Sequence, residues 1–276
     1  MAVIAMTREM GTLGKDVAQG LADRLGLDIV HHELVENDIA TRSGLGESEV
    51  RRFLGGEASF LGQWRMDRQR LSHFTAQEIL ELAARDNVLI RGWGATYLLR
   101  DIPHVVCVRV CAPMEFRVRE MMRRLGTDDP AVARREIERS DAAHNGTMQR
   151  LFGADWTDAT LYAAALNTAR VPPAECVEQI VHLVESEPFH KTARSHAMLM
   201  DRLIEARVRS ALRDRFDNSL AAMGIDVTVR EAEVALIGAV SDDRVIADLV
   251  RTAAAVPGVV RVQSQIRYLS FARNGS

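Results

Sequence analysis

A chain of 276 residues, 47% hydrophobic and 26% charged, is long enough for about two domains that each bury a core. A net charge of −3 excludes the global basic field that draws proteins to nucleic acid or anionic membranes, so nucleic acid is not an expected partner. No apolar run approaches the roughly 20 residues of a spanning helix.

The N-terminal segment MAVIAMTREMG carries no basic n-region and meets charged residues at once, so it reads as a first strand rather than a signal peptide. The expected location is cytoplasmic. Val3-Ile4-Ala5-Met6 is continuously apolar, as a buried parallel strand should be. Val17, Leu21 and Leu25 with Ala18 and Ala22 form a helical stripe that Gly26 ends. Leu27-Asp28-Ile29-Val30 is a second short strand. A charged, glycine-bearing stretch follows through Gly55-Gly56 and Gly62. Within it, the adjacent His31 and His32 point apart, which favours a loop or helix-start role over a metal pair. Trp64 with Arg65, Arg68 and Arg70 reads as a helix, with a stacking nucleic-acid patch as the alternative.

Residues 77–85 read as a helix and Asn87-Val88-Leu89-Ile90 as the next strand. Residues 104–110 form another strand, with Cys107 and Cys111 in or just after it. Core packing is the favoured reading of these cysteines, and a metal site the alternative. Pro113 opens a helix where its missing N–H costs nothing. Charged helical stretches at 115–125 and 130–151 follow, then a short strand at 163–166, and Pro172-Pro173 leads into a helix over 175–184. Such alternation predicts an α/β fold with a parallel sheet covered on both faces.

Ser186-Glu187-Pro188-Phe189-His190-Lys191-Thr192 breaks the periodicity, which places a linker near 187–196. Leu203, Val208, Leu212 and Phe216 then mark an amphipathic helix. Val227 and Val229, and next Val234, Leu236 and Gly238, alternate as strands. Ile246, Leu249, Val250 and Ala253 return to helical spacing, and Val260, Val262 and Ile266 alternate again. The second unit is therefore a small α+β module of order αββαβ. The expected domains are 1–187 and 197–271. Glu231-Ala232 at the hairpin is not the Asn-Gly-like pair of a simple type I′ turn.

The first strand runs into Thr7-Arg8-Glu9-Met10-Gly11-Thr12-Leu13-Gly14-Lys15-Asp16 and then a helix. A strand, a glycine-bearing loop, a lysine and a helix N-terminus together make an anion site, because backbone N–H groups and the helix dipole face the phosphates. Against the pattern G-x-x-x-x-G-K-[ST], Gly14-Lys15 fits. Glu9 stands at the first glycine and Asp16 at the Mg²⁺-binding hydroxyl.

This segment resembles the opening of the cytidylate kinase-like family, where a loop of S-R-E-x-G-S-G-G type follows the first strand. The resemblance continues at 91–101, Ala112-Pro113, 134–141, Leu151-Phe152-Gly153-Ala154-Asp155-Trp156 and 161–168, in the right order. It implies a P-loop nucleoside-monophosphate-kinase fold, with a five-stranded parallel sheet flanked by helices, a monophosphate-binding region and a lid. The implied reaction moves the γ-phosphoryl of ATP, with Mg²⁺, to CMP or another small nucleotide. Carried over, Gly11, Thr12, Gly14, Lys15 and Asp16 bind the donor, with Asp16 as metal ligand or, alternatively, as a charge that repels phosphate. Lys15, Asp141 and Arg134 are the implied catalytic residues. Arg91, Arg135, Asn167 and Arg170 are the implied acceptor contacts. Trp93 stands where related kinases carry an acceptor-binding arginine, and Ser140-Asp141 replaces the Arg-Asp pair of the lid. Arg134, Arg135 and Arg139 either restore that charge or form a solvated face with Glu136 and Glu138.

Residues from about 198 to 269 resemble a BON domain, through Val227-Thr228-Val229, Val234-Ala235-Leu236-Ile237-Gly238-Ala239-Val240 and Val256-Pro257-Gly258-Val259-Val260-Arg261-Val262. The resemblance implies association with membranes or the binding of small or lipid-like ligands. Because the N-terminus does not read as a secretion signal, the expected role is regulatory or oligomerising, with a small molecule or a protein as partner. Two functions remain open: an ATP-dependent phosphotransferase with a regulatory module, and a degenerate kinase fold that binds nucleotide without transfer. Glu9, Asp16, Trp93 and Ser140 favour the second, and Gly14-Lys15 in an otherwise intact framework favours the first.

Overall fold

In the computed structural model, residues 2–30, 68–92, 94–216 and 223–269 are described. The readings placed on His31, His32, Gly55, Gly56, Gly62, Trp64, Arg65 and Trp93 lie outside them, as do those on the side chains of Arg68 and Arg70. The chain divides into two units, Met1–Thr192 and Ala193–Ser276.

The apolar run after Ala2 becomes β1 (Val3–Arg8), whose first five residues are buried. Continuous burial follows from its place at the centre of a parallel sheet of order β2-β3-β1-β4-β5. Its partners are β2 (Asp28–Val30), β3 (Val88–Arg91), β4 (Val105–Cys111) and β5 (Ala164–Asn167). Register sets Met6 beside Arg91 and Arg8 beside Val110, so the strand ends reach a common edge.

Helix α1 (Gly14–Leu25) follows β1 and ends at Gly26. α2 (Arg68–Ala84) precedes β3, and α3 (Ala95–Leu99) follows it. Five residues are too few for a periodic signal, so α3 has no counterpart in the sequence reading. α4 (Met114–Leu125) and α5 (Pro130–Phe152) follow β4, and α6 (Pro173–Glu185) follows β5. Pro130 sits in the first turn of α5, where Asp129 accepts from the Ala131 amide at 2.8 Å. One core joins Ile4, Met6, Val17, Leu21, Val106, Val108, Cys176 and Ile180. A second, smaller one packs Val118 and Met121 of α4 against Ala133 and Ile137 of α5. Burial raises the thiol pKa of Cys107, to about 12, and also those of Cys111 and Cys176, so all three stay protonated.

Residues Glu187–Phe189 form one 3-10 turn, and the next helix begins at Ala193, inside the stretch read as linker. The second unit consists of α7 (Ala193–Phe216), β6 (Asp226–Arg230), β7 (Glu233–Val240), α8 (Asp243–Ala254) and β8 (Arg261–Tyr268). β6 pairs antiparallel and β8 parallel with the central β7. Val208 and Leu212 of α7 and Leu249 and Ala253 of α8 pack on Val227, Val234 and Leu236.

The hairpin departs from expectation. Glu231 and Ala232 both take positive φ, 53° and 60°, the signature of the primed turn that their residue types argued against. The reason lies outside the hairpin. Their two amides donate to the Asp201 carboxylate on α7, each at 2.8 Å, and these charge-assisted bonds offset the strain.

Candidate functional site

The loop between β1 and α1 makes two turns. Gly11 takes φ 81° and Leu13 φ 56°, and the second brings the chain directly into α1. The N-cap position, Leu13, supplies no side-chain cap, and its carbonyl takes the Asp16 and Val17 amides at 3.0 and 3.2 Å. The Thr12 hydroxyl is spent inside the loop, donating to the Glu9 carbonyl at 2.7 Å. The Thr168 hydroxyl donates to the Thr12 carbonyl at 2.7 Å, which ties the segment after β5 to the loop.

A cavity of about 360 Å³ opens over this loop, lined by Arg8, Gly11, Thr12, Leu13, Gly14, Lys15 and Asp16 and, from α4, by Glu120, Met121, Arg123 and Arg124. The five residues read as donor-binding thus share one cavity, with Lys15 and Asp16 exposed at its wall. Sequence reasoning singled out none of the α4 residues, and it named Arg8 in the loop without giving it a role. The paired Arg123-Arg124 in the last turn of the helix after β4 is a signal that was present in the sequence and was passed over. Glu120 is engaged by Arg123.

Glu9 faces away from the cavity. Its carboxylate takes an ion pair from Arg109, lies 3.5 Å from an Arg117 nitrogen, and accepts from the Ala112 amide at 3.3 Å. Arg117, itself buried, donates from Nε to the Met10 carbonyl at 2.7 Å and grips both oxygens of Asp141 at 2.8 and 2.7 Å. One guanidinium therefore joins the loop, α4 and α5. Asp141 is held in this tie and does not line the cavity.

The remaining implied residues do not line the cavity. Arg91 ends β3. Arg134 and Arg135 are exposed on α5, where Arg139 reaches Glu136 at 3.4 Å. Asn167 turns its Oδ1 onto the Ala169 amide at 3.0 Å, and Arg170 is exposed.

His144, on α5, stacks on Trp156 with ring centroids 4.3 Å apart, and Arg109 lies over the same indole at 5.2 Å. Burial holds the His144 pKa down to about 4; Asp141 opposes this, while Arg109 and Arg8 add to it. The folded state thus refuses a proton that the unfolded chain accepts near pH 6.5. Stability from this site is full above that value and is lost as pH falls toward 4, by about 2–3 kcal/mol. Urea unfolding at pH 7 and pH 4.5 should show this fall in wild type and a shallower one in His144→Gln. Equal slopes would remove His144 as the cause.

A parallel sheet of order β2-β3-β1-β4-β5, flanked by helices and with a glycine loop leading from its central strand into a helix, is a kinase-like fold. The sequence profile of the cytidylate kinase-like family matches residues 3–170. The chain belongs to the cytidylate kinase-like family. The BON domain profile matches residues 201–270 of this family member. No curated protein matches the chain.

Among solved structures, an uncharacterized protein from Eubacterium ventriosum is similar to this cytidylate kinase-like chain at TM-score 0.52 and 18% identity, covering 68% of this chain and 100% of its own. A sugar kinase from a Janibacter species aligns at TM-score 0.40 and 17% identity, over 68% and 96% of the two chains. Shikimate kinase from Acinetobacter baumannii in complex with shikimate aligns at 0.37 and 16%, over 67% and 93%. Likeness at these identities concerns the fold alone. Among the described residues, no helix of this family member is long and apolar enough to cross a membrane.

Proposed function

We propose that the first unit is an ATP-dependent, nucleotide-kinase-like phosphotransferase. The observation that carries this reading is the cavity over the β1–α1 loop, where Arg8, Lys15, Arg123 and Arg124 converge beside an uncapped helix N-terminus. Four cations around one cavity suit a polyphosphate chain, and the volume of about 360 Å³ suits a nucleotide. Mg²⁺ usually binds through one or two carboxylates together with substrate phosphates, and Asp16 at the cavity wall supplies one. Glu120 is the other lining carboxylate and is engaged by Arg123. Bound Mg·ATP would supply the transferable phosphoryl group and neutralise its charge.

The chain's own residues then bind and orient. Lys15, with Gly11 and Gly14, holds the outer phosphates, and Arg117 fixes the loop against α4 and α5 through Glu9 and Asp141. Arg91, Arg135, Asn167 and Arg170, with Arg134 on α5, are assigned to a small nucleotide acceptor such as CMP. The alternative, a degenerate fold that binds nucleotide without transfer, rests on Asp16 in place of a hydroxyl. Trp93 and Ser140 favour it too, whereas the support from Glu9 weakens, because that carboxylate is neutralised by arginines and turned from the cavity. The BON-like module is assigned a regulatory, ligand-binding or oligomerising role in a cytoplasmic protein. The proposed domain limits are 1–187 and 197–271.

Calorimetric titration of the full chain with Mg·ATP tests the site. Lys15→Ala should weaken binding by about 1.5–3 kcal/mol, the worth of one charge-assisted contact. Superimposable curves for wild type and variant would remove the assignment. ADP formation across a panel of nucleoside monophosphates separates the two readings: turnover with any acceptor supports transfer, and binding without turnover supports the degenerate fold.

A further inference from the structure

Arg8 is the last residue of β1, and its stem runs across the start of α1. A Cβ placed on Gly14 would stand 2.9 Å from both Cβ and Cδ of Arg8. Only glycine leaves room for the arginine to pass the helix and line the cavity. Its charged neighbours are Arg91, at the end of β3, and Arg124, on α4. Burial first, and then these two guanidiniums, lower its pKa to about 10.

Among the described residues, no carboxylate or hydrogen-bond acceptor takes the Arg8 side chain. The two other arginines around Glu9 behave differently. Arg109 has Glu9 and the Thr157 carbonyl, and Arg117 has Glu9, Asp141 and the Met10 carbonyl. Both neutralise Glu9, the carboxylate nearest Arg8 in sequence, and so remove the obvious internal partner. A half-buried cation among like charges is costly unless an anion joins it. The charge density at such a cluster suits the most highly charged part of a polyphosphate, its terminal phosphate.

We propose that Arg8, with Arg124 on the facing wall, is the ligand for the outermost phosphate of a polyphosphate chain, and that this pair makes the cavity select triphosphates over diphosphates. This rests on the reading of the cavity as a nucleotide donor site. The selection comes from charge number: a diphosphate lacks the group that would engage the arginine pair.

The test uses the full chain and inorganic phosphates, which separate phosphate recognition from nucleotide recognition. Affinities for tripolyphosphate, pyrophosphate and ATP are measured by calorimetry for wild type, Arg8→Gln and Arg124→Gln. Glutamine keeps the stem that packs on Gly14, and Arg124 is exposed, so its variant retains the fold if Arg8→Gln does not. Wild type should prefer tripolyphosphate to pyrophosphate by tenfold or more. Each variant should weaken tripolyphosphate about tenfold, change pyrophosphate less than threefold, and so collapse the preference. Undiminished preference in the folded variants, equal loss for both anions, or no binding of tripolyphosphate by wild type overturns the proposal. Tripolyphosphate bound with the expected preference, but ATP ignored, would leave the Arg8 site standing and remove the nucleotide reading instead.

Discussion

Arg117→Ala is expected to destabilise the first unit by about 3–5 kcal/mol, the loss seen when one partner of a buried ionic group is removed. Arg117 is buried and serves three acceptors at once: the Glu9 carboxylate, the Met10 carbonyl and both oxygens of Asp141. Without it Asp141 loses both contacts and Glu9 keeps only Arg109 and the Ala112 amide. Arg117→Lys should recover part of the loss, because an ammonium keeps the charge but cannot form the two-pronged bond. Adding Asp141→Asn to Arg117→Ala should cost less than the sum of the single changes, since it removes the charge that was left unpaired. Urea unfolding followed by tryptophan fluorescence reads this unit directly, because Trp64, Trp93 and Trp156 all precede residue 190. A loss below 1 kcal/mol for Arg117→Ala would show that the tie holds nothing.

Gly11→Ala should cost about 2–4 kcal/mol and weaken Mg·ATP binding tenfold or more. A Cβ there would stand 2.7 Å from the Arg117 carbonyl oxygen, which is helix backbone and cannot swing aside, and the residue sits at φ 81°. Positive φ alone costs a non-glycine residue about 1–2 kcal/mol. The remainder is the displacement of α4 from the loop. Those two elements are the walls of the cavity, so the same displacement lowers affinity. Gly26→Ala is the control: its φ is 64°, but nothing lies within 4 Å of the added carbon. It should lose only the backbone share of stability and bind Mg·ATP as wild type does. Equal losses at the two glycines would mean that the contact with Arg117 is immaterial.

Much of the fold was legible because burial leaves a period in the chain. The apolar run Val3-Ile4-Ala5-Met6 marks a strand buried on both faces, and β1 is the sheet's central strand. The stripe of Val17, Leu21 and Ala18 marks the face that α1 turns to the core. The change to αββαβ patterning marks the second unit, whose three strands and two helices lie where the alternation placed them. Gly14-Lys15 after the first strand located the loop, since glycine and a following helix are local requirements of an anion site.

Charge pairing is not local, and there the sequence was silent or misleading. By residue type Glu9 stood as a fault in the phosphate loop, yet Arg109, 100 positions later, and Arg117 turn it into a tie. The family resemblance singled out Asp141, but only the packing of α4 on α5 shows that Arg117 grips both its oxygens. Glu231-Ala232 argued against a primed turn, until a carboxylate 30 residues earlier in the chain offered both amides a partner. Arg8 lies in the loop segment that the sequence marked, but nothing in the sequence shows that its side chain lines the cavity beside Arg124. The sequence by itself determined which stretches are strands and helices, because side-chain period follows from a single element's own geometry. Tertiary structure alone decided which charges neutralise one another and which are left facing the cavity, because that depends on elements meeting that are remote along the chain.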